Sequence, residues 1–359
     1  MKTIKYIPII KTGDAEIRGV EKLSEEIKDN ITPVFELTRS RISKKQKEGD
    51  IYRRLSRLKE AEAYGTRRFI LDLTDEPNLS NRQIEDLHGN HNGYENWISF
   101  MVALQDEFPQ IIPTIQISDE GVKSIEEFYA RIKKQLKSLD KHFGNIAYRF
   151  PLTYEHYKAD IKIFSEIVSE NKIICIIDAG LIPQGKAGVY ADKAISVIND
   201  LNQLSLRKIS LSATSFPRNV AESGGEKYNE FNLEECLLYK KVNKTSAIIY
   251  GDYATINPTR SQLAGASGWV PRIDMPLRDV IFYHRSRKSE QEINYAAAYT
   301  RVAKLVCKDS RYKEIKKIID CWGIEQIELA AEGQPQGLSP SFWISVRMNI
   351  HMTIRKAMV

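Results

Sequence analysis

The stretch IICIIDAG, residues 173–180, places five apolar side chains in a row before an aspartate and a glycine. An uninterrupted apolar run of this length is typical of a parallel β-strand that is covered on both faces. Residues 189–204 follow it with apolar side chains at the period of an amphipathic helix. This stretch therefore predicts one strand and one helix of an α/β fold.

The same unit of strand, turn and helix recurs eight times along the chain. The predicted strands are residues 6–11, 31–38, 67–74, 110–118, 145–152, 173–180, 208–216 and 246–255. Eight such units over about 250 residues match the usual size of a closed parallel barrel. The sequence therefore predicts a (β/α)8 TIM-type barrel over residues 1–306, with a doubly wound sheet as the alternative.

Residues 307–359 extend beyond the barrel and predict a helical extension packed on it. Before them, residues 257–276 are rich in turn formers, and residues 290–306 could form the eighth barrel helix. In the extension, Ser339 and Pro340 provide an N-cap and a first helical residue. The last helix carries an apolar stripe for docking on the barrel or on another subunit, so a homo-oligomer is also expected. The stripe is Trp343, Val346, Ile350 and Ile354.

The composition of the 359 residues, 42% hydrophobic and 28% charged, is that of an ordinary globular chain. No apolar run approaches the roughly 20 residues of a membrane helix, and the first residues, MKTIKYIPIIK, predict a strand rather than a signal peptide. We therefore expect a cytoplasmic protein without membrane partners. Four cysteines without a CxxC pair favour reduced thiols. The net charge of +6 fits an anionic ligand but also fits solubility alone.

Polar or charged residues end nearly every predicted strand, which is where the catalytic groups of parallel barrels lie. They are Lys11, Glu36, Asp72, Gln116, Arg149, Asp178, Ser212 or Thr214, and Asp252. Unpaired buried charge is costly, so packing alone does not readily explain four carboxylates, a lysine and an arginine in one barrel mouth. The charged members of this set are the predicted catalytic residues, and a structural ring of salt bridges is the alternative.

The carboxylates of this set could do either of two jobs. They could supply the hard oxygen ligands that Mg²⁺ or Mn²⁺ prefers, or one pair could act as general acid and base. The predicted metal ligands are Glu36, Asp72, Asp178 and Asp252. The lysine and the arginine of the set suit an anionic group such as phosphate.

Further basic and aromatic residues are predicted to bind the ligand. A basic loop follows the second strand and contains Arg39, Arg41, Lys44 and Lys45. Tyrosines beside basic residues could stack bases and hold phosphates, which makes nucleic acid or an anionic small molecule the expected partner. A solvated basic surface and tyrosines that fill the barrel are the alternatives. The predicted ligand-binding residues are Arg39, Gln116, Tyr253, His284 and Arg285.

Several nucleotide and hydrolase motifs are absent from the sequence. There is no GxGxxG after a strand, no GxxxxGK[ST] and no GxSxG, so no nucleotide cofactor is expected. The adjacent pair Gly224 and Gly225 lies in the polar residues 221–229, which predict a mobile loop.

Six short motifs resemble the phage-associated "beta protein" family. They are YIPIIKTGDAEIRG near the start, ITPVFELTRSR, FILDLT, IIDAG, YGDYATINP and the later YHRSR. The resemblance extends over most of the chain and implies a phage, prophage or mobile-element gene. A role in conflict between phage and host is a further expectation from that setting. The resemblance implies no catalytic residues.

Two classes of function follow from these features. The first is a metal-assisted hydrolase of a phosphate-containing substrate, in which carboxylates hold Mg²⁺ or Mn²⁺ while Lys11 and Arg149 stabilise charge on phosphate oxygens. The second is a non-catalytic protein that recognises an anionic ligand or partner at the barrel mouth. The sequence leaves both open.

Overall fold

The computed structural model describes residues 4–358 except 43, 45, 61–63, 219, 221–226 and 260–267. Lys45 of the predicted basic loop lies outside the described residues. So do most of the residues predicted to form a mobile loop, including Gly224 and Gly225.

The described residues form eleven strands and thirteen α-helices. The strands are β1 (Tyr6–Lys11), β2 (Val34–Leu37), β3 (Phe69–Leu73), β4 (Ile111–Pro113), β5 (Ile146–Pro151), β6 (Ile173–Leu181), β7 (Lys208–Thr214), β8 (Tyr228–Asn232), β9 (Ile249–Asp252), β10 (Arg272–Pro276) and β11 (Val280–Arg285). The helices are α1 (Asp14–Glu21), α2 (Glu25–Asn30), α3 (Tyr52–Glu60), α4 (Arg82–His88), α5 (Glu95–Leu104), α6 (Ile125–His142), α7 (Tyr157–Ser165), α8 (Ala187–Gln203), α9 (Glu234–Val242), α10 (Ala296–Lys308), α11 (Ser310–Lys316), α12 (Trp322–Ala331) and α13 (Pro340–Met358).

Eight parallel strands form a nearly closed, barrel-like sheet flanked by helices. Their order is β4-β3-β2-β1-β9-β7-β6-β5. The two edge strands approach each other, because Thr114 and Ala147 form a parallel bridge and the amide of Ile115 donates to the carbonyl of Ala147 at 2.8 Å. Each of the eight predicted strands overlaps one strand of this sheet, so the mixed α/β class and the parallel barrel-like architecture are confirmed.

Side chains alternate between the inside of the sheet and the layer under the helices. Ile7 and Ile9 of β1 belong to a small apolar cluster with residues from the other strands, whereas Tyr6 and Ile10 belong to the large core that the helices cover. Because both faces of each strand are buried, the strands have the continuous apolar sequences noted above. The alternation also decides which strand-end residues face the mouth.

Several helices begin at residues whose side chains cap them. Asp50 accepts a hydrogen bond from the amide of Tyr52 at 3.0 Å before α3, and Ser124 accepts one from Glu127 at 3.2 Å before α6. Ser339 accepts one from Phe342 at 3.3 Å, with Pro340 first in α13 as the sequence predicts. These helices cover the outer face of the sheet, and the loops surround its carboxyl-terminal end.

A second sheet, which the sequence did not predict, consists of one strand between β7 and β9 and two strands after β9. Strands β10, β11 and β8 pair antiparallel in that order. One face of this sheet shares an apolar core with α10 to α13, in which Ile273, Met275 and Phe282 contact helix residues such as Val302 and Ile327. The predicted division into residues 1–306 and 307–359 stays a prediction.

The apolar stripe of α13 is buried within the chain. Trp343, Val346, Ile350 and Ile354 are at most 4% exposed and pack in the core shared with the second sheet. The stripe therefore docks inside the same chain, and a homo-oligomer stays a prediction. Among the described residues, no helix is both long enough and apolar enough to cross a membrane.

Gly251 lies inside the sheet where β9 runs close to β7. A Cβ atom there would lie 2.8 Å from Ser210 Oγ and 3.0 Å from the carbonyl oxygen of Leu211. We expect Gly251→Ala to lower the free energy of unfolding by roughly 1–3 kcal/mol, because overpacking forces the strands apart. Gly144→Ala is the control, since its Cβ meets no atom within 4 Å. Equal urea midpoints for the two variants would contradict this packing.

Candidate functional site

Arg149 lies at the centre of a charged cluster at the carboxyl-terminal end of the barrel strands. Its Nη1 donates to Glu36 Oε1 at 2.8 Å and to Asp72 Oδ2 at 3.0 Å, and its Nη2 donates to Asp178 Oδ2 at 2.7 Å. Its Nε reaches the same Asp178 oxygen at 3.0 Å. One guanidinium therefore joins carboxylates from three other strands. With Lys11 and Tyr253 these four residues form what we call the Arg149 cluster.

Lys11 provides the second cation of the Arg149 cluster. Its Nζ donates to Glu36 Oε2 at 2.5 Å, so each oxygen of Glu36 contacts one cation. Burial raises the pKa of Glu36, but the charges of Arg149 and Lys11 outweigh it and lower the pKa to about 2. Burial likewise lowers the pKa of Arg149, but the carboxylates outweigh it and hold that pKa well above its ordinary value. Glu36 and Arg149 are therefore both charged at neutral pH.

Neutral polar groups hold the carboxylates in place. The hydroxyl of Thr114 donates to Asp72 Oδ1 at 2.8 Å, and Nε2 of Gln116 donates to the Thr114 hydroxyl at 2.8 Å. The backbone of Gln116 is fixed in turn by two hydrogen bonds with the buried side chain of Gln135. Gln116, a predicted ligand-binding residue, thus supports Asp72 within the barrel.

Tyr253, another predicted ligand-binding residue, also belongs to the Arg149 cluster. Its hydroxyl donates to Asp178 Oδ2 at 2.6 Å and accepts from Nη2 of Arg149 at 3.1 Å. Burial and the charge of Asp178 raise the pKa of Tyr253 well above 10, so the phenol keeps its proton. Tyr253 therefore acts as a fixed donor that orients the Asp178 carboxylate.

The carboxylates of the Arg149 cluster offer hard oxygen ligands but are arranged around a guanidinium. Among the described residues, no group of three or more His, Cys, Asp or Glu side chains is placed to hold a metal ion. A divalent ion that used Glu36, Asp72 and Asp178 together would have to displace Arg149. The predicted metal site stays a prediction, and it requires that displacement.

Asp252 is not part of the mouth, and the prediction that it lies there is wrong. Its Oδ1 accepts from the Tyr6 hydroxyl at 2.7 Å, and its Oδ2 accepts from the Tyr250 hydroxyl at 2.9 Å and contacts His351 Nε2 at 2.7 Å. Strand alternation is the reason, because Tyr253 points into the barrel and its neighbour Asp252 points outward to α13. Asp252 is fully buried in that outer layer.

His351 completes the outer layer around Asp252. Burial lowers its pKa more strongly than Asp252 raises it, so the imidazole is neutral. Its Nδ1 has no partner in the described part of the chain. We therefore assign the proton to Nε2, which donates to Asp252.

His284 and Arg285 lie on β11 of the second sheet rather than with the Arg149 cluster. His284 pairs with Ile273, whose side chain packs toward the helices, and its ring contacts Tyr228 at a centroid distance of 5.0 Å. Arg285 pairs with Arg272 on the opposite face of this sheet. This sheet was not predicted, and the assignment of His284 and Arg285 as ligand-binding residues stays a prediction.

A groove of about 1210 Å³ opens above the barrel strands, and Lys11 belongs to both this groove and the Arg149 cluster. Loops after β1, β2, β3, β7 and β9 form one side of it, and the second sheet with the start of α13 forms the other. We call it the mouth groove. Among the described residues, seven cationic side chains and three anionic ones line it. They are Lys11, Arg39, Arg41, Arg54, Arg218, Arg272 and Arg347, with Asp14, Glu16 and Asp274.

Several of these cations are neutralised within the groove. Arg272 and Arg347 bind Asp274 at 2.8 and 2.6 Å, and Arg54 binds Asp14. Arg39 donates only to the carbonyl oxygens of Ser40 and Asn78. Neither Arg39 nor Arg41 has a carboxylate partner in the described part of the chain. Arg39 and Arg41 of the predicted basic loop therefore present charge to the groove that no described carboxylate neutralises.

Sequence reasoning missed the far wall of the mouth groove. The alternation of Arg272 and Asp274 with apolar residues is a strand signal that could have revealed β10. Nothing in the sequence indicated that Arg347, in the middle of an apolar helix, would reach Asp274. Thr114 was also missed. It lies in the middle of the predicted strand 110–118, whereas β4 ends one residue before it, at Pro113.

Comparison with known proteins supports the resemblance noted in the sequence. The family model described as Beta protein matches residues 6–355. The chain belongs to the Beta protein family. It is also 29% identical over 358 residues to "Protein beta" of Enterobacteria phage P4, an alignment that covers 97% of this chain and 91% of that protein.

Two solved structures are similar to this Beta protein family member at 11% sequence identity. One is the cellulose synthase subunit Z of Clostridioides difficile, with a TM-score of 0.40, covering 70% of this chain and 91% of that one. The other is the spore cortex-lytic enzyme SleL of Bacillus megaterium, with a TM-score of 0.37, covering 85% and 68%.

Proposed function

We propose that this protein binds a phosphate-containing anionic ligand in the mouth groove. The excess of cations in the groove carries the proposal, and Arg39 and Arg41 matter most because they have no carboxylate partner among the described residues. An arginine guanidinium binds phosphate oxygens in a two-pronged geometry, which gives orientation as well as charge. Binding in the groove would place the ligand beside Lys11 and the Arg149 cluster.

The location of the groove also fits the architecture. We infer that the barrel-like sheet is a (β/α)8 barrel of the TIM type, because its eight parallel strands and the bridge between β4 and β5 support closure. In that fold, ligands bind at the carboxyl-terminal ends of the strands. The mouth groove is built from the loops at this end.

Binding without turnover is the function that the geometry supports best. Glu36 contacts Lys11 and Arg149, and Asp72 and Asp178 also contact Arg149. Glu36 held in this way is a poor general base, because the charges of Arg149 and Lys11 lower its pKa to about 2. We therefore assign the Arg149 cluster to holding the floor of the groove.

A metal-assisted phosphate hydrolase is the second candidate, since three carboxylates converge at one point. In that function Glu36, Asp72 and Asp178 would hold Mg²⁺ or Mn²⁺, which supplies Lewis acidity toward phosphate oxygens. Incubating the protein with phosphate esters, nucleotides and nucleic acids, with and without either ion, separates the candidates. Turnover that needs the ion and is lost in Asp72→Ala favours the hydrolase. Tight binding without turnover favours the first function.

We expect the double variant Arg39→Ala/Arg41→Ala to bind inorganic tripolyphosphate at least tenfold more weakly than the parent protein. Hydrogen bonds to charged groups contribute about 1.5–3 kcal/mol each, so the loss of even one has this effect. Isothermal titration calorimetry at fixed salt measures it. The control is Arg53→Ala/Arg57→Ala on α3, which removes the same charge outside the groove. If the two pairs weaken binding equally, the net charge binds the anion and the groove does not.

Family membership supports a setting in a phage or mobile element. We extend the proposal to conflict between phage and host, in which the groove would bind a phosphate-containing molecule of the infected cell. Cells that express the parent protein should then change the plating efficiency of an infecting phage, and cells that express Arg39→Ala/Arg41→Ala should not.

A further inference from the structure

We infer that the mouth groove takes single-stranded nucleic acid, with an unpaired base stacked on Trp269 and phosphates on Arg39 and Arg41. This inference rests on the proposed function and names its ligand class. It adds an aromatic contact to the phosphate contacts, and that contact can be tested separately.

Trp269 is an exposed aromatic ring in a cationic groove. Trp269 is the most exposed of the four tryptophans, at 40%, whereas Trp97 and Trp343 are buried. Its indole stacks on Tyr295 with ring centroids 4.2 Å apart and planes at 23°. The stacking contact fixes the ring before a ligand arrives, so further stacking costs little conformational entropy.

The surroundings of Trp269 favour a charged partner over an apolar one. It lines the groove together with Arg272 and with the unneutralised Arg39 and Arg41. An apolar ligand would have to desolvate these guanidinium groups, which is costly. A nucleic acid strand satisfies both kinds of group, because its phosphates bind cations while its bases present flat π-faces.

The size of the groove favours a strand over a single nucleotide. Small-molecule pockets usually measure about 300–1,000 Å³, and this groove is larger at about 1210 Å³. The stacking platform favours unpaired bases, because bases inside a duplex already stack on their neighbours. Several linked nucleotides can therefore use the arginines and the tryptophan together.

Fluorescence anisotropy with three labelled probes tests the inference on the full chain. The probes are an oligothymidylate of about 12 nucleotides, an abasic strand of the same length and a duplex of the same length, within the usual range of single-strand binding sites. The abasic strand keeps the phosphates and lacks the bases. We expect the oligothymidylate to bind roughly 5- to 150-fold more tightly than the abasic strand, as one stacked base would give.

Variants assign this preference to Trp269. Trp269→Ala should remove the preference for oligothymidylate and leave abasic binding unchanged, while Trp269→Phe should retain most of it. Tyr52→Ala is the matched control, because Tyr52 is 55% exposed on α3 outside the groove. Arg39→Ala/Arg41→Ala should weaken both single-stranded probes alike.

Each contrary result has a distinct meaning. Equal binding of the oligothymidylate and abasic strands overturns the stacking inference and leaves phosphate binding in place. Tighter binding of the duplex than of the single strand also overturns it. If neither the strands nor tripolyphosphate bind, the proposed function fails together with this inference.

Discussion

Replacing Arg149 with alanine is expected to lower the free energy of unfolding at pH 7 by roughly 3–5 kcal/mol, the usual cost of breaking a buried ion pair from one side. The guanidinium donates to Glu36, Asp72 and Asp178, and each of these carboxylates is at most 14% exposed. Without Arg149, Lys11 alone would face three buried negative charges. Urea unfolding followed by circular dichroism measures the loss.

The loss should depend on pH with a definite sign. In the parent protein the pKa of Glu36 falls to about 2, below its unfolded value near 4.5, so its contribution is complete above 4.5 and is lost as the pH falls toward 2. In Arg149→Ala, Glu36 keeps its burial and loses the larger of its two attractive charges, so its pKa should rise from this low value. The parent protein then loses more stability on acidification than the variant does, so the deficit of the variant should shrink as the pH falls toward 2.

Arg311→Ala is the matched control for this prediction. Arg311 also pairs with two carboxylates, Asp309 at 2.8 Å and Glu230 at 2.7 Å, but its side chain is 32% exposed. Partly exposed ion pairs contribute about 1 kcal/mol or less, so this variant should lose little. If Arg149→Ala loses no more than Arg311→Ala, or if its deficit does not change with pH, the Arg149 cluster does not stabilise the fold.

The sequence allowed the parallel strands to be predicted, because burial on both faces leaves continuous apolar runs such as residues 173–177. It did not allow the inward face of each strand to be predicted. From composition alone, Tyr250 and Asp252 of β9 and Tyr253 after it could each face the barrel interior. The register of β9 between β1 and β7 decides that Gly251 and Tyr253 point inward. A strand-end carboxylate is therefore only a candidate until this register is known.

Most of the far wall of the mouth groove could not be predicted, for a different reason. Strands β8, β10 and β11 are short, and β8 pairs with a strand far along the chain, with Asn232 opposite Val280, so local sequence patterns do not reveal the sheet. Arg347 reaches Asp274 at 2.6 Å from a helix that begins more than sixty residues later in the chain. Contacts of this kind depend on tertiary packing, and neither periodicity nor motif spacing records them.

Asp252→Ala is expected to lower the free energy of unfolding by roughly 2–5 kcal/mol, because it leaves several buried donors without an acceptor. Tyr6, Tyr250 and His351 contact this carboxylate, and the amide of Ala254 donates to it at 2.8 Å. The exposed Asp279, which pairs with Lys240 at 2.6 Å, gives the control variant Asp279→Ala with little expected loss.

Ligand binding by Asp252→Ala and Asp72→Ala shows whether Asp252 stabilises the fold or contributes to the ligand site. Its side chain lies in the outer layer against α13, so Asp252→Ala should bind tripolyphosphate as the parent protein does under conditions where it stays folded. Asp72→Ala should change that binding, because Asp72 contacts Arg149, which shares the Glu36 carboxylate with the groove residue Lys11. If Asp252→Ala keeps the parent's stability and loses binding, Asp252 acts in the mouth, and its assignment to the outer layer is wrong.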